Sequence, residues 1–121
     1  NKKSFDSYLK MDIYSLSLVL WEIFNRVNLL NVVISFSLPY EEYTGVNPSI
    51  DTMNHIVNEM IYRPKLRSTP PQNHEILVDF NRIIKKCWHK IQTKRPSTEQ
   101  ILSYSMYLIK KYSKNDSIYF T

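Results

Sequence analysis

A single glycine, Gly45, and a single cysteine, Cys87, stand in a chain of 121 residues. A many-stranded β protein would need far more residues able to take a positive φ in its hairpins. The six prolines do not replace them, so helices joined by Pro-marked loops are expected. One thiol excludes an internal disulfide framework and fits a reducing compartment. Long apolar runs are missing as well. The stretch bracketed by Asp12 and Glu22 is about half of the roughly twenty residues that a bilayer requires. No basic-then-apolar leader follows Asn1, and the chain is expected to be a piece of a longer one. Sixteen Lys and Arg against eleven Asp and Glu give a net charge of +5. The cations are scattered, with only short doublets such as Lys85-Lys86 and Lys110-Lys111, which reads as a solvated basic surface and not as a nucleic-acid footprint.

What is present is apolar residue in helical patterns, 43% of the chain being hydrophobic. From Met11 to Phe24 such residues occur all round the helical wheel, which predicts a helix buried inside a larger domain. Val27 to Leu38 is β-branched and apolar, yet Pro39 and Glu41-Glu42 end it abruptly, so a long, partly buried loop is expected. Pro48-Ser49 opens a short amphipathic helix with Ile50, Met53, Ile56, Val57 and Met60 on one stripe, stopped by Arg63-Pro64. Pro64 to Asn73 reads as loop. Helix resumes near His74 and ends near Trp88, with Ile76, Leu77, Phe80, Ile83, Ile84 and Cys87 on its apolar face. Ser97 is the expected N-cap of the last helix and Gln100 its capping-box partner; the helix carries Ile101, Leu102, Met106 and Ile109 and is expected to fray from Lys110 to Asn115.

The result is a mainly α chain of four main helices with long loops. A helix apolar on every side needs neighbours on every side, and three amphipathic helices are too few to supply them. Further covering structure is therefore expected from outside residues 1–121.

Asp12-Ile13-Tyr14-Ser15 followed by Leu20-Trp21-Glu22 resembles the start of the central helix of the protein-kinase C-terminal lobe. Cys87-Trp88, then Arg95-Pro96-Ser97, resembles the segment that opens the last kinase helix. Between them Leu38-Pro39-Tyr40, Pro48-Ser49-Ile50, Met53 and Arg63-Pro64 follow the order and spacing of receptor serine/threonine kinases of the transforming-growth-factor-β kind. Phe5, Ser7 and Tyr8 favour type I receptors, whereas Glu41-Glu42 and Gly45 look more like type II. There are departures. Ser17 stands where kinases usually have Gly, residues 27–37 lack the family's cysteine and acidic residues, and Pro96 follows Arg95 where these receptors more often have Leu.

The resemblance implies that residues 1–121 are a partial kinase domain, the C-lobe from the central to the last helix, without N-lobe, catalytic loop or activation segment. It implies structural support of an active site by three residues. Asp12 would accept backbone N–H bonds beneath the catalytic loop; read without the resemblance, it would cap its own helix. Arg95 would pair with the glutamate of an upstream Ala-Pro-Glu motif, its two-pronged guanidinium suiting such a carboxylate; the plainer reading is an exposed arginine opening a helix. Trp88 would pack beside that pair, or simply fill the core. No catalytic, cofactor-binding or metal residue is expected. His55, His74 and His89 have no metal-ligand spacing, and Cys87 has no evident base.

Phosphoryl transfer needs a loop over the phosphates, a lysine, a catalytic Asp and Asn and a metal-binding Asp, and none of those motifs is in this sequence. The piece alone is thus expected to be inactive. The parent implied by the resemblance uses ATP with Mg²⁺ or Mn²⁺, phosphorylates Ser or Thr of protein substrates, and works with partner receptor chains. It would lie on the cytoplasmic side of a single-pass plasma-membrane receptor whose span is outside this piece. The alternatives are a cytosolic kinase of the tyrosine or tyrosine-kinase-like groups, a pseudokinase scaffold, or a small basic helical module binding nucleic acid.

Overall fold

Neither glycine nor proline interrupts the first 38 residues, and the first helix uses that freedom. In the computed structural model, which describes residues 2–29, 31–68, 74–113 and 118–120, α1 runs from Lys2 to Arg26. This is longer at both ends than the 11–24 span read from the apolar pattern, and the added residues include no Gly or Pro that would stop the helix. Its C-terminal carbonyls are closed by a side chain from far along the chain. Arg67 is buried and donates to the carbonyl oxygens of Phe24 (2.7 Å), Val27 (2.7 Å) and Val32 (3.1 Å). Of these acceptors Phe24 lies in the last turn of α1, so the guanidinium does part of the work of a C-cap while tying the segment beyond the helix to its end.

Within this chain α1 is not buried all round. Ile13, Ser17, Trp21 and Phe24 face the core, while Met11, Val19 and Ile23 are 52%, 51% and 45% exposed. The buried row packs on α4, Glu75–Cys87. Phe24 stacks on Phe80 with ring centroids 4.8 Å apart and planes 12° from parallel, and Trp21, Leu29, Ile76, Leu77, Ile84 and Trp88 complete one core cluster. A second cluster joins Ile13, Ile83, Cys87 and Ile101. Ser17, fully buried, donates its hydroxyl to the Tyr14 carbonyl one turn back, so the polar group that stands where a Gly is usual is satisfied locally.

The boundaries of α4 agree with the sequence reading for a physical reason. The His74 side chain accepts from the Ile76 amide, Glu75 lies in the first turn, and Lys85 and Lys86 lie in the last, each charge placed to suit the helix dipole. The final helix α5, Thr98–Tyr112, begins with the expected capping box between Ser97 and Gln100. It continues through Lys110 and Lys111 to Tyr112, where fraying had been expected; residues 114–117 lie outside the described part.

Two other expectations are corrected. Val27–Leu29 forms a strand, β1, paired antiparallel with β2, Ile118–Phe120, with Val27 opposite Phe120 and Leu29 opposite Ile118. The β-branched pattern there found a partner at the other end of the chain that no local signal announces; beyond a Leu29 to Val32 bridge the segment is loop. The short helix after Pro48 is α3, Ile50–Asn54, capped by Ser49 and continued by a π-helical turn over His55–Glu59. It buries no residue fully: Met53, Ile56 and Val57 are half-buried, while Ile50, 87% exposed, and Met60 leave the two ends of its apolar stripe open among the described residues. A one-turn helix, α2, Glu41–Thr44, had no expectation attached. The four main helices, α1, α3 with its π turn, α4 and α5, and the long loops between them make a mainly α fold, as expected of a kinase C-terminal lobe.

Candidate functional site

Four segments meet around one tyrosine of α1. The guanidiniums of Arg63 and Arg95 both lie over the Tyr14 ring, each 5.3 Å from its centroid. The Tyr14 hydroxyl is 2.5 Å from that of Tyr40, a buried residue with φ of 70°, a left-handed value unusual for a side chain of its size. Burial first, then the bond to Tyr14, pushes the Tyr40 phenol well above its ordinary pKa, so its hydroxyl remains protonated at neutral pH.

Backbone carbonyls hold the two arginines. Arg63 Nε donates to the Trp88 carbonyl at 2.9 Å and Nη1 to those of Tyr62 (2.9 Å) and Val57 (3.2 Å). Arg95 Nε donates to the His89 carbonyl and Nη1 to that of Lys10, both at 2.8 Å. Lys10 Nζ returns the contact at 2.9 Å to the Arg95 carbonyl. The loop before α5 is thus tied to α1 in both directions. Among the described residues no carboxylate reaches either guanidinium. Desolvation and the neighbouring charge of Arg63 lower the Arg95 pKa, as expected for a cation half out of water beside a like charge.

Beside the pair is a cleft of about 470 Å³ lined by Met11, Tyr14, Val57, Ile61, Arg63 and Arg95 among others, with Lys90 as a third cation and no acidic side chain. Ile61, which helps to line it, has φ of 57°, a costly value for a β-branched residue.

The three residues singled out in the sequence are placed unequally. Arg95 is at the centre of this arrangement. Trp88 joins it only through its backbone carbonyl, while its indole belongs to the core between α1 and α4. Asp12 lies well inside α1, so it cannot be that helix's N-cap, and its side chain is exposed, without a hydrogen bond among the described residues. Sequence reasoning used Arg63 only as a helix stop and gave Tyr14 and Tyr40 no role as a pair. Tyr14, Tyr40 and the two arginines are far apart in sequence, with the paired tyrosines 26 residues apart, and left no local signal to find them.

A second polar centre joins α4 to α5. Asp79 is buried, and its Oδ2 accepts from Lys111 Nζ at 2.8 Å and from the Tyr112 hydroxyl at 2.6 Å, while its carbonyl accepts from the Tyr104 hydroxyl at 2.8 Å. Lys111 also reaches Glu75 at 2.6 Å. Burial works to raise the Asp79 pKa, but the bonds from Lys111 and Tyr112 and the charges of Lys111 and Arg82 outweigh it and hold the carboxyl below its usual value. Cys87 is buried, and desolvation pushes its thiol up to about 11, which leaves it protonated and unsuited to attack. Among the described residues no group of three or more His, Cys, Asp or Glu is arranged to hold a metal. No described helix is long and apolar enough to cross a membrane.

The chain's relatives among known proteins are receptors. Activin receptor type-1C of Homo sapiens is 35% identical over 89 residues, 74% of this chain and 18% of that protein. Activin receptor type-1B of Homo sapiens is 36% identical over the same length, 17% of its own. TGF-beta receptor type-1 of Homo sapiens is 33% identical over 89 residues, 18% of its length. No family model matches the chain. The chain is therefore a relative of the type-1 activin and TGF-β receptors, in line with the type I preference read from Phe5, Ser7 and Tyr8, and it spans less than a fifth of their length.

Proposed function

We propose that residues 1–121 are the C-lobe portion, from central to last helix, of a receptor serine/threonine protein kinase. The parent transfers the γ-phosphate of ATP to Ser or Thr of signalling proteins in TGF-β-type pathways and acts together with partner receptor chains. Its kinase domain lies on the cytoplasmic side of a plasma membrane crossed by a span outside this piece. ATP and Mg²⁺ or Mn²⁺ are bound by motifs that this sequence does not contain, so no step of the reaction is assigned to its residues. Its own residues position. Arg95 anchors the end of the activation segment through a glutamate upstream, Asp12 steadies the catalytic loop, and Trp88 fills the core beneath.

The observation that carries this reading is the half-buried Arg95, held on the Tyr14 ring by two carbonyl oxygens, beside a cleft with cations and no acid. A desolvated guanidinium in that state is incomplete, and a bidentate carboxylate is the group that completes it. The test is Arg95→Ala in the complete protein and in the 121-residue chain. In the complete protein stability and kinase activity fall together, by about 3–5 kcal/mol for the stability. In the chain alone neither nucleotide binding nor phosphoryl transfer is measurable before or after the substitution. An unchanged melting temperature with normal turnover in the complete protein would reject the anchoring role, and ATP turnover by the chain alone would reject the C-lobe assignment.

A further inference from the structure

The scattered cations of the sequence are not all scattered in space. Arg82 and Lys86 stand four residues apart on α4, and so share one face of that helix. The turn ahead of α5 brings Lys94 and Arg95 to the same place, and His89 and Tyr104 complete the walls of a cleft of about 620 Å³. No carboxylate lines it. The nearby Asp79 has its carboxylate engaged by Lys111 and Tyr112. Arg82, Lys86 and Lys94 are exposed, and among the described residues none of them forms an ion pair with an acidic side chain.

We propose that this cleft is a docking site for a phosphorylated segment of a partner protein. Three exposed cations drawn from two separate elements line one concavity that holds no carboxylate, so together they complement an anion of more than one charge. A phosphate monoester carries such a charge and offers three acceptor oxygens. Arg82 presents a planar fork to it, and Lys86 and Lys94 present point charges. The volume is that of a pocket for one modified side chain with its neighbours. A membrane calls for a broad, flat patch and a nucleic acid for a strip that follows repeating phosphates, and three cations lining one concavity are neither. The site stands on Arg82, Lys86 and Lys94, so capture of a carboxylate by Arg95 leaves it intact and failure of the kinase reading does not touch it.

The test uses the complete protein and fluorescence anisotropy with a fluorescent peptide carrying phosphoserine in an acidic context, beside its unphosphorylated twin. The phosphopeptide binds at least about tenfold tighter than the twin, and Arg82→Ala, Lys86→Ala and Lys94→Ala together remove that margin, while Lys86→Arg with Lys94→Arg keeps it. The three substituted residues are exposed, so the melting curve stays in place. A photoreactive group next to the phosphoserine labels α4 or the 92–96 turn in the unsubstituted protein, which reports the site even where the triple variant fails to fold. Equal binding of the two peptides, labelling elsewhere, or no binding at all overturns the proposal. So does tighter binding of phosphatidylserine vesicles or a single-stranded RNA that the triple alanine variant abolishes.

Discussion

The seam between α4 and α5 and the cleft beside Tyr14 are both built from charged and phenolic side chains, yet only one of them is complete. At the seam Asp79 meets a cation and a hydroxyl within 2.8 Å, and Lys111 has two carboxylates. At the cleft Arg63 and Arg95 share one tyrosine ring and a set of carbonyl oxygens, with no acid among the described residues. The seam neutralises its charge inside this chain, and the cleft leaves a charge for something else to neutralise. The same division holds for apolar surface: the α1 and α4 contact is a packed core, whereas Ile50 and Met60 on the α3 stripe lie open. Self-contained regions report on this chain's own stability, and incomplete ones report on what it joins.

The sharpest way to break that comparison is at the packed contact. Leu77 has no exposed surface, and Leu77→Ala in the 121-residue chain is expected to cost about 3–5 kcal/mol by urea denaturation. At the seam, Asp79→Ala takes the acceptor from Tyr112 and leaves Lys111 with Glu75 alone, and costs about 1–3 kcal/mol; a loss below that of a surface substitution would show that the seam is not self-contained. Arg95→Ala in the same chain removes hydrogen bonds to carbonyls but no ion pair and costs about 1 kcal/mol, well short of the larger loss expected in the complete protein. Equal losses in the two forms would erase the contrast between the regions. Ser97→Ala, which removes one half of a capping box, costs about 1 kcal/mol. Ile50→Ser, at an uncovered position, changes the chain's stability by less than about 0.5 kcal/mol.

The seam also sets a pH dependence. Because the folded Asp79 carboxyl sits below its usual pKa, the unfolded chain takes up its proton at a higher pH than the folded one. The stabilisation is complete above the unfolded value of about 3.9 and is lost as pH falls through the folded value. Denaturation midpoints measured at pH 6 and at pH 3 should therefore differ more in the unsubstituted chain than in Asp79→Asn.

Patterns of local origin were readable in the amino-acid sequence. α4 and α5 end where caps, charges in the first and last turns and a 3.6-residue apolar period say they should, because each of those forces acts within a few residues. The likeness to receptor kinases was readable for a similar reason, since it rests on short motifs such as Asp12-Ile13-Tyr14 and Arg95-Pro96-Ser97. Arg95 was singled out through the motif alone, while its setting on the Tyr14 ring was not legible. Only the tertiary structure decided that Arg67 closes α1 across more than 40 residues, that Val27–Leu29 pairs with Ile118–Phe120, and that Tyr14 is shared by two arginines. It also decided that Asp79 is buried while Asp12 is not. Each of these depends on which distant segment supplies the donor, the strand or the ring. An arginine or an aspartate has the same local propensities whether its partner lies across the fold or is missing, so nothing near it in sequence can tell the two cases apart.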